Sequence, residues 1–155
     1  MEPGPGCFTC KSISGERRIS PGPTIYETEH WLVEHAYPCS LKGWLVLVLK
    51  RHARALHELT EQECRELGEL QGKTARVLFR VLGCEKEYSM CLAEAEGFNH
   101  VHVHLVGKPR ELPAELRGVR IFALLKPGQD TVPPEAVARF CEELREEFRK
   151  MEETR

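Results

Sequence analysis

Residues 100–106 read His-Val-His-Val-His-Leu-Val, a strict alternation that becomes a coherent surface only in an extended strand. Side chains leave opposite faces of a strand at about 3.3 Å per residue, so His100, His102 and His104 share one face, roughly 6 to 7 Å apart. Val101, Val103 and Leu105 share the other and need a core to pack on. The fold must therefore hold a sheet with one buried face and one face that can offer three imidazoles to a substrate group or a metal. Three solvated strand histidines are the bland alternative.

The rest of the chain supplies the partners for that strand. Trp44-Leu45-Val46-Leu47-Val48-Leu49 is unbroken apolar sequence, which predicts a central strand covered on both faces. Ile25–Glu27 and Trp31–Glu34 read as two short strands separated by Thr28-Glu29-His30. The period then changes. Thr60-Glu61-Gln62-Glu63 is a capping box, Leu67, Leu70, Thr74, Val77, Leu78 and Val81 recur at three- and four-residue intervals, and Gly83 can close the helix. A helix of about five turns is predicted. Tyr88–Leu92 and His100–Val106 form a last strand pair, so the order strands, helix, strands gives an α+β fold with an antiparallel sheet. After Pro133-Pro134, the apolar positions Val137, Phe140, Cys141, Leu144, Phe148 and Met151 mark one face of a terminal helix at about 133–152, suited to core or dimer packing. At the other end, Cys7-Phe8-Thr9-Cys10-Lys11 reads as a knuckle.

With 155 residues, 41% hydrophobic and 30% charged, the chain fits one domain over 1–155. A net charge of −2 gives no basic field, so neither nucleic acid nor a membrane surface is an expected partner. No segment approaches the ~20 apolar residues of a membrane span, and the start, Met1–Gly6, lacks the features of a secretion signal; a cytoplasmic location is expected. Any anionic ligand then needs local cations. Lys108 and Arg110, just beyond the histidines, are candidates for phosphate contacts, with an ordinary solvated loop as the alternative. Cys39, Cys64, Cys84, Cys91 and Cys141 show no framework spacing and read as buried or free thiols.

A neutral imidazole can attack an electrophile through one nitrogen while the other is held by a hydrogen bond. A second histidine can carry a proton or polarise oxygens, a pairing suited to splitting a phosphoanhydride or phosphoramidate. The competing reading is a metal held by all three rings, completed by Cys7 and Cys10, whose spacing lets two thiolates share a tetrahedral zinc. A redox CxxC is weaker, because no thioredoxin-like pattern surrounds it.

The string from His100 to Val106 is similar to the motif of the histidine triad family of nucleotide hydrolases and transferases. Cys7-Phe8-Thr9-Cys10-Lys11 resembles the start of its zinc-containing bacterial members, Tyr26-Glu27-Thr28-Glu29-His30 looks like the approach to their second strand, and Gly43 to His52 follows their glycine-to-histidine segment. These anchors cover about residues 7–107. The resemblance implies a five-stranded antiparallel sheet with one long helix, extended here by the C-terminal helix, and a homodimer. It implies His102 as nucleophile, His104 as the residue assisting phosphate and leaving group, and a structural zinc on Cys7, Cys10, His52 and His100. The implied ligand is a nucleotide or dinucleotide, cleaved by hydrolysis because histidine rather than glutamine stands at 104. His30, His35 and His57 are left solvated or structural.

Several positions depart from the family pattern. Ala36 falls where an acidic residue holds ribose hydroxyls, with Glu34 two residues away. The Gly-Gln-Ser/Thr phosphate cradle is replaced by Glu94-Ala95-Glu96-Gly97-Phe98-Asn99, whose carboxylates repel a polyphosphate unless they face away or pair with cations. Trp44 stands where histidine is frequent, and Leu49 where proline is. Three readings stay open: a histidine triad hydrolase, a non-catalytic zinc-stabilised binding protein, and a hydrolase whose three histidines share a catalytic ion.

Overall fold

The computed structural model describes residues 4–154; Met1 to Pro3 of the start, and Arg155, lie outside the described residues. Five strands, β1 (Tyr26–Glu27), β2 (Trp31–His35), β3 (Trp44–Leu49), β4 (Lys86–Met90) and β5 (His102–Lys108), form one antiparallel sheet in the order β1-β2-β3-β5-β4. The all-apolar β3 is central and covered on both faces, as its lack of alternation predicts.

Strand parity assigns the two faces. Trp31, Val33, Leu45, Leu47, Leu49, Val103 and Leu105 point into a core shared with two helices, α2 (Glu61–Leu82) and α3 (Pro134–Glu153). These helices bring Leu70, Val77 and Leu78 from α2 and Val137, Phe140, Leu144 and Phe148 from α3. The opposite face carries Glu34, Ala36, Trp44, Val46, His102 and His104. It is partly covered by the segment after β5, where Leu112 and Ile121 pack on Ala36, Trp44 and Val106.

Local chemistry sets the helix ends. Thr60 Oγ1 accepts from the Glu63 amide at 3.2 Å and Glu63 Oε2 accepts from the Thr60 amide at 2.8 Å, while Gly83 takes a left-handed φ of 60° beyond the last turn. The predicted capping box and stop are both present. α3 starts and ends one residue later than expected.

Other boundaries differ from the sequence reading as well. The Cys7–Lys11 knuckle is a short helix, α1 (Phe8–Ile13), with Cys7 as its N-cap and the Cys7 Sγ accepting from the Cys10 amide at 3.4 Å. β4 begins at Lys86 rather than Tyr88, because β5 runs on to Lys108 and gives the earlier residues a partner. β5 begins at His102 rather than His100; the Val101 amide donates to Ala53 at 2.8 Å, and the His100 side chain turns toward the N-terminal segment. Among the described residues, no helix is long and apolar enough to cross a membrane.

Candidate active site and metal centre

The three histidines divide between two sites. His100 is fully buried, and its Nε2–H donates to the Leu49 carbonyl at 2.7 Å. A carbonyl can only accept, so this bond fixes the proton on Nε2 and leaves Nδ1 as a lone pair. That Nδ1 lies 3.3 Å from His52 Nδ1, 3.5 Å from Cys10 Sγ and 3.6 Å from Cys7 Sγ, and Cys10 Sγ lies 3.3 Å from His52 Nδ1. All four donor atoms fall within 4.8 Å of one another. A tetrahedral zinc with bonds of about 2.3 Å to sulfur and 2.0 to 2.1 Å to nitrogen needs donor separations of about 3.3 to 3.8 Å. The donor set fits a closed Cys₂His₂ zinc site. The chain packs tightly around it: a Cβ on Gly4 would sit 2.6 Å from the His52 ring.

Both nitrogens of His100 are thus engaged away from His102 and His104, so the three rings do not share one catalytic ion. His102 Nδ1–H donates to the His100 carbonyl at 2.7 Å, which places the proton on Nδ1 and makes Nε2 the basic nitrogen. His104 has the opposite tautomer. The Trp44 indole Nε1–H donates to His104 Nδ1 at 3.0 Å, so that nitrogen is unprotonated and Nε2 carries the hydrogen. The ring centroids of His102 and His104 are 4.9 Å apart, nearer than the strand repeat suggests. Burial pushes both pKa values down, His104 to about 4, so both rings are neutral near pH 7.

Both rings line a cavity of about 590 Å³ between the open sheet face, α1, the loop from Leu92 to Phe98 and the stretch from Phe122 to Pro127. Its wall is mostly apolar. Glu34 and Ala36 both line it from β2. Glu34 is held in a fork by Arg18 at 3.1 and 3.0 Å and accepts from Thr24 Oγ1 at 2.6 Å. Glu94 lines the cavity, whereas Glu96 is exposed and outside it; Lys126 is the one cation among the described lining residues.

Lys108 and Arg110, the candidates for phosphate contacts, stand away from the histidine cavity. Lys108 is buried and paired with Glu85 at the far end of β5, and neither residue lines the cavity. The other histidines are structural or solvated, as expected. His30 Nδ1 contacts Glu66 at 2.7 Å, His57 is exposed, and His35 is buried between the Ala36 carbonyl and the Gly43 amide. Of the unpaired cysteines, Cys39, Cys84 and Cys141 are buried and Cys64 is exposed. Sequence reasoning missed Arg18, Phe122, Lys126 and the role of Trp44. Only Trp44 left a trace, as a substitution at a position where histidine is frequent.

Neither a family model nor a curated protein matches the sequence. Solved structures do. A histidine-triad-like protein described as involved in cell-cycle regulation, from Bartonella henselae, superposes with a TM-score of 0.72 at 15% identity, covering 95% of this chain and 99% of that one. A histidine triad nucleotide-binding protein from Sulfolobus tokodaii gives 0.73 at 16% identity over 94% of each chain. A zinc-bound histidine triad family protein from Mycobacterium smegmatis gives 0.66 at 17% identity, covering 96% and 97%. An α+β protein with this sheet, and with alternating histidines on an inner strand, has the histidine triad fold. By its sheet order and by its likeness to these structures, the chain has the fold of histidine triad proteins.

Proposed function

We propose that the protein is a nucleotide hydrolase of the histidine triad type. It cleaves a nucleoside phosphoramidate, a phosphoanhydride or a dinucleoside polyphosphate through a covalent nucleotidyl-histidine. One observation carries this reading: the His102 Nδ1–H is held by the His100 carbonyl at 2.7 Å, which frees Nε2 as a neutral nucleophile at the cavity wall. Attack by Nε2 on phosphorus expels the leaving group, and water then releases the captured nucleotide. His104 Nε2–H stands beside it to stabilise charge on the phosphoryl oxygens.

Cys7, Cys10, His52 and His100 would hold zinc in a structural role. The closed donor set offers no open position for a substrate, and its place behind His100 braces the N-terminus against the start of the catalytic strand. In this reading the protein works as a homodimer in the cytoplasm, with no nucleic-acid partner.

A second reading, a non-catalytic zinc-stabilised binding protein, is favoured by the carboxylates of Glu34 and Glu94 in the cavity wall. Incubation with adenosine 5′-phosphoramidate and with a diadenosine polyphosphate separates the two. The hydrolase reading expects turnover, a nucleotidylated chain trapped by acid quench, and a loss on the order of 10⁴-fold in both His102→Ala and His102→Gly. Unchanged rates in those variants would overturn it, and nucleotide binding without turnover would favour the second reading.

A further inference from the structure

We infer that Trp44 makes His104 a fixed hydrogen-bond donor rather than a proton shuttle, so the site takes phosphoryl substrates whose leaving group departs without a proton from the enzyme. The inference rests on the hydrolase reading and deepens it. Its basis is the indole Nε1–H donated to His104 Nδ1 at 3.0 Å from a tryptophan with no exposure to solvent.

An imidazole shuttles protons by alternating between its neutral form and the doubly protonated cation. His104 is denied the cation. A proton on Nδ1 would face the indole N–H, two donors with no acceptor between them, inside a buried cluster where the Phe122 ring stands 5.1 Å from His104 and 5.4 Å from Trp44. It is equally unable to give up the Nε2 proton, because that would leave a buried imidazolate. The neighbours reinforce the lock. Trp44 and Val46 on β3, Met90 on β4 and Phe122 beyond β5 carry no charge, and His102, on its own strand, is the titratable group that bears on it.

The reaction then balances without an enzyme acid. The His102 Nε2 lone pair forms the N–P bond while the P–X bond breaks, its electron pair leaving with X. His104 Nε2–H hydrogen-bonds a phosphoryl oxygen and keeps its proton. X departs as a stable anion, or as an amine when the scissile nitrogen already bears the extra proton. Water next forms the O–P bond, the N–P pair returns to Nε2, and the proton of that water passes to solvent. Substrates with a phosphate, acyl or acidic phenol leaving group, or a protonated phosphoramidate nitrogen, fit this site; alkyl and weakly acidic aryl esters do not.

Two measurements on the native protein test the inference. In ¹⁵N-resolved imidazole spectra, His104 Nδ1 should be the unprotonated nitrogen and should stay so between about pH 5 and 8. In hydrolysis of adenylate aryl esters, replacing a 4-nitrophenyl by a phenyl leaving group should slow turnover by about 100-fold or more, the scale an unaided departure forfeits. Trp44→Phe, which keeps a ring but removes the donor, should shrink that gap to about 10-fold or less, because the freed Nδ1 can accept a proton. A protonated His104 Nδ1, or a flat leaving-group dependence in the native protein, would overturn the inference even if Trp44→Phe does not fold. If the phosphoramidate is turned over but neither aryl ester is, the leaving-group rule falls and the hydrolase reading stands; if none is turned over, both fall, and the spectrum alone decides the tautomer.

Discussion

His35 shows how a buried ring makes stability depend on pH. It donates from Nδ1 to the Ala36 carbonyl at 2.7 Å and accepts the Gly43 amide on Nε2 at 3.1 Å, so both nitrogens are used by the neutral form. Burial pushes its pKa down from 6.5 to about 4. A base with a depressed folded pKa binds protons more readily when unfolded, so its stability contribution is complete above pH 6.5 and is lost as pH falls toward 4. At pH 5 the loss is about 2 kcal/mol relative to neutral pH. Urea midpoints at the two pH values should show a decline of at least that size in the native protein, since His104 is depressed in the same way, and a smaller one in His35→Gln. A second residue-scale expectation concerns the cysteines. Cys7→Ser should lose the roughly one zinc per chain that the native protein and His102→Ala retain, as metal analysis would show. Chelation should lower native stability by about 4 kcal/mol where free zinc stands about a thousandfold above its dissociation constant.

Among the elements, α2 is anchored most firmly at its start. The Glu63 carboxylate closes the capping box and also takes Arg51 in a fork, at 2.6 and 2.8 Å, while its backbone carbonyl accepts from the Trp31 indole at 3.0 Å. The Arg51 guanidinium, with the Thr60 amide, holds the Glu63 pKa down at about 2. An acid with a depressed folded pKa stabilises above its unfolded pKa of about 4.5 and loses that contribution as pH falls through 2, here on the order of 3 kcal/mol. Acid titration of Glu63→Gln should therefore lack part of the native decline below pH 4.5, and the variant should be less stable at pH 7. The capping box was legible because it is local: residues 60 and 63 close it between them, whereas the Arg51 and Trp31 contacts to Glu63 come from distant sequence. Strand parity was legible for the same reason, and it put His102 and His104 on the open face. The start of β5 was not, because His100 answers to Cys7, Cys10 and His52 rather than to its own alternation. α1 was hidden too, since its cap is a cysteine thiol in place of the usual hydroxyl or carboxylate. The Trp44–His104 bond spans 60 residues, and no spacing rule within one segment reports a contact of that kind.

For the whole molecule, the question is whether the motif-bearing part, about residues 7–107, could stand without the chain from Lys108 onward. The packing argues against it. Val137, Phe140, Leu144 and Phe148 of α3 have 2% exposure or less, and they close the helix-side core over the same sheet that carries the histidines on its other face. Burying each such side chain contributes about 1.5 to 3 kcal/mol, so the four together supply roughly 6 to 12 kcal/mol. That matches the roughly 5 to 15 kcal/mol net stability of an ordinary domain. The segment between β5 and α3 adds Ile121 and Leu112 to the opposite core and places Phe122 and Lys126 in the cavity wall. A chain ending at Val132 should therefore show no cooperative thermal transition, with collapsed near-ultraviolet circular dichroism, while the full chain unfolds in one step. Phe148→Ala in the full chain separates loss of the helix from loss of one contact: it should cost about 3 to 5 kcal/mol yet keep a single transition and bound zinc. If the shortened chain instead melted cooperatively near the native temperature, α3 would be an accessory, and the chain up to Val132 would hold a core sufficient for the sheet.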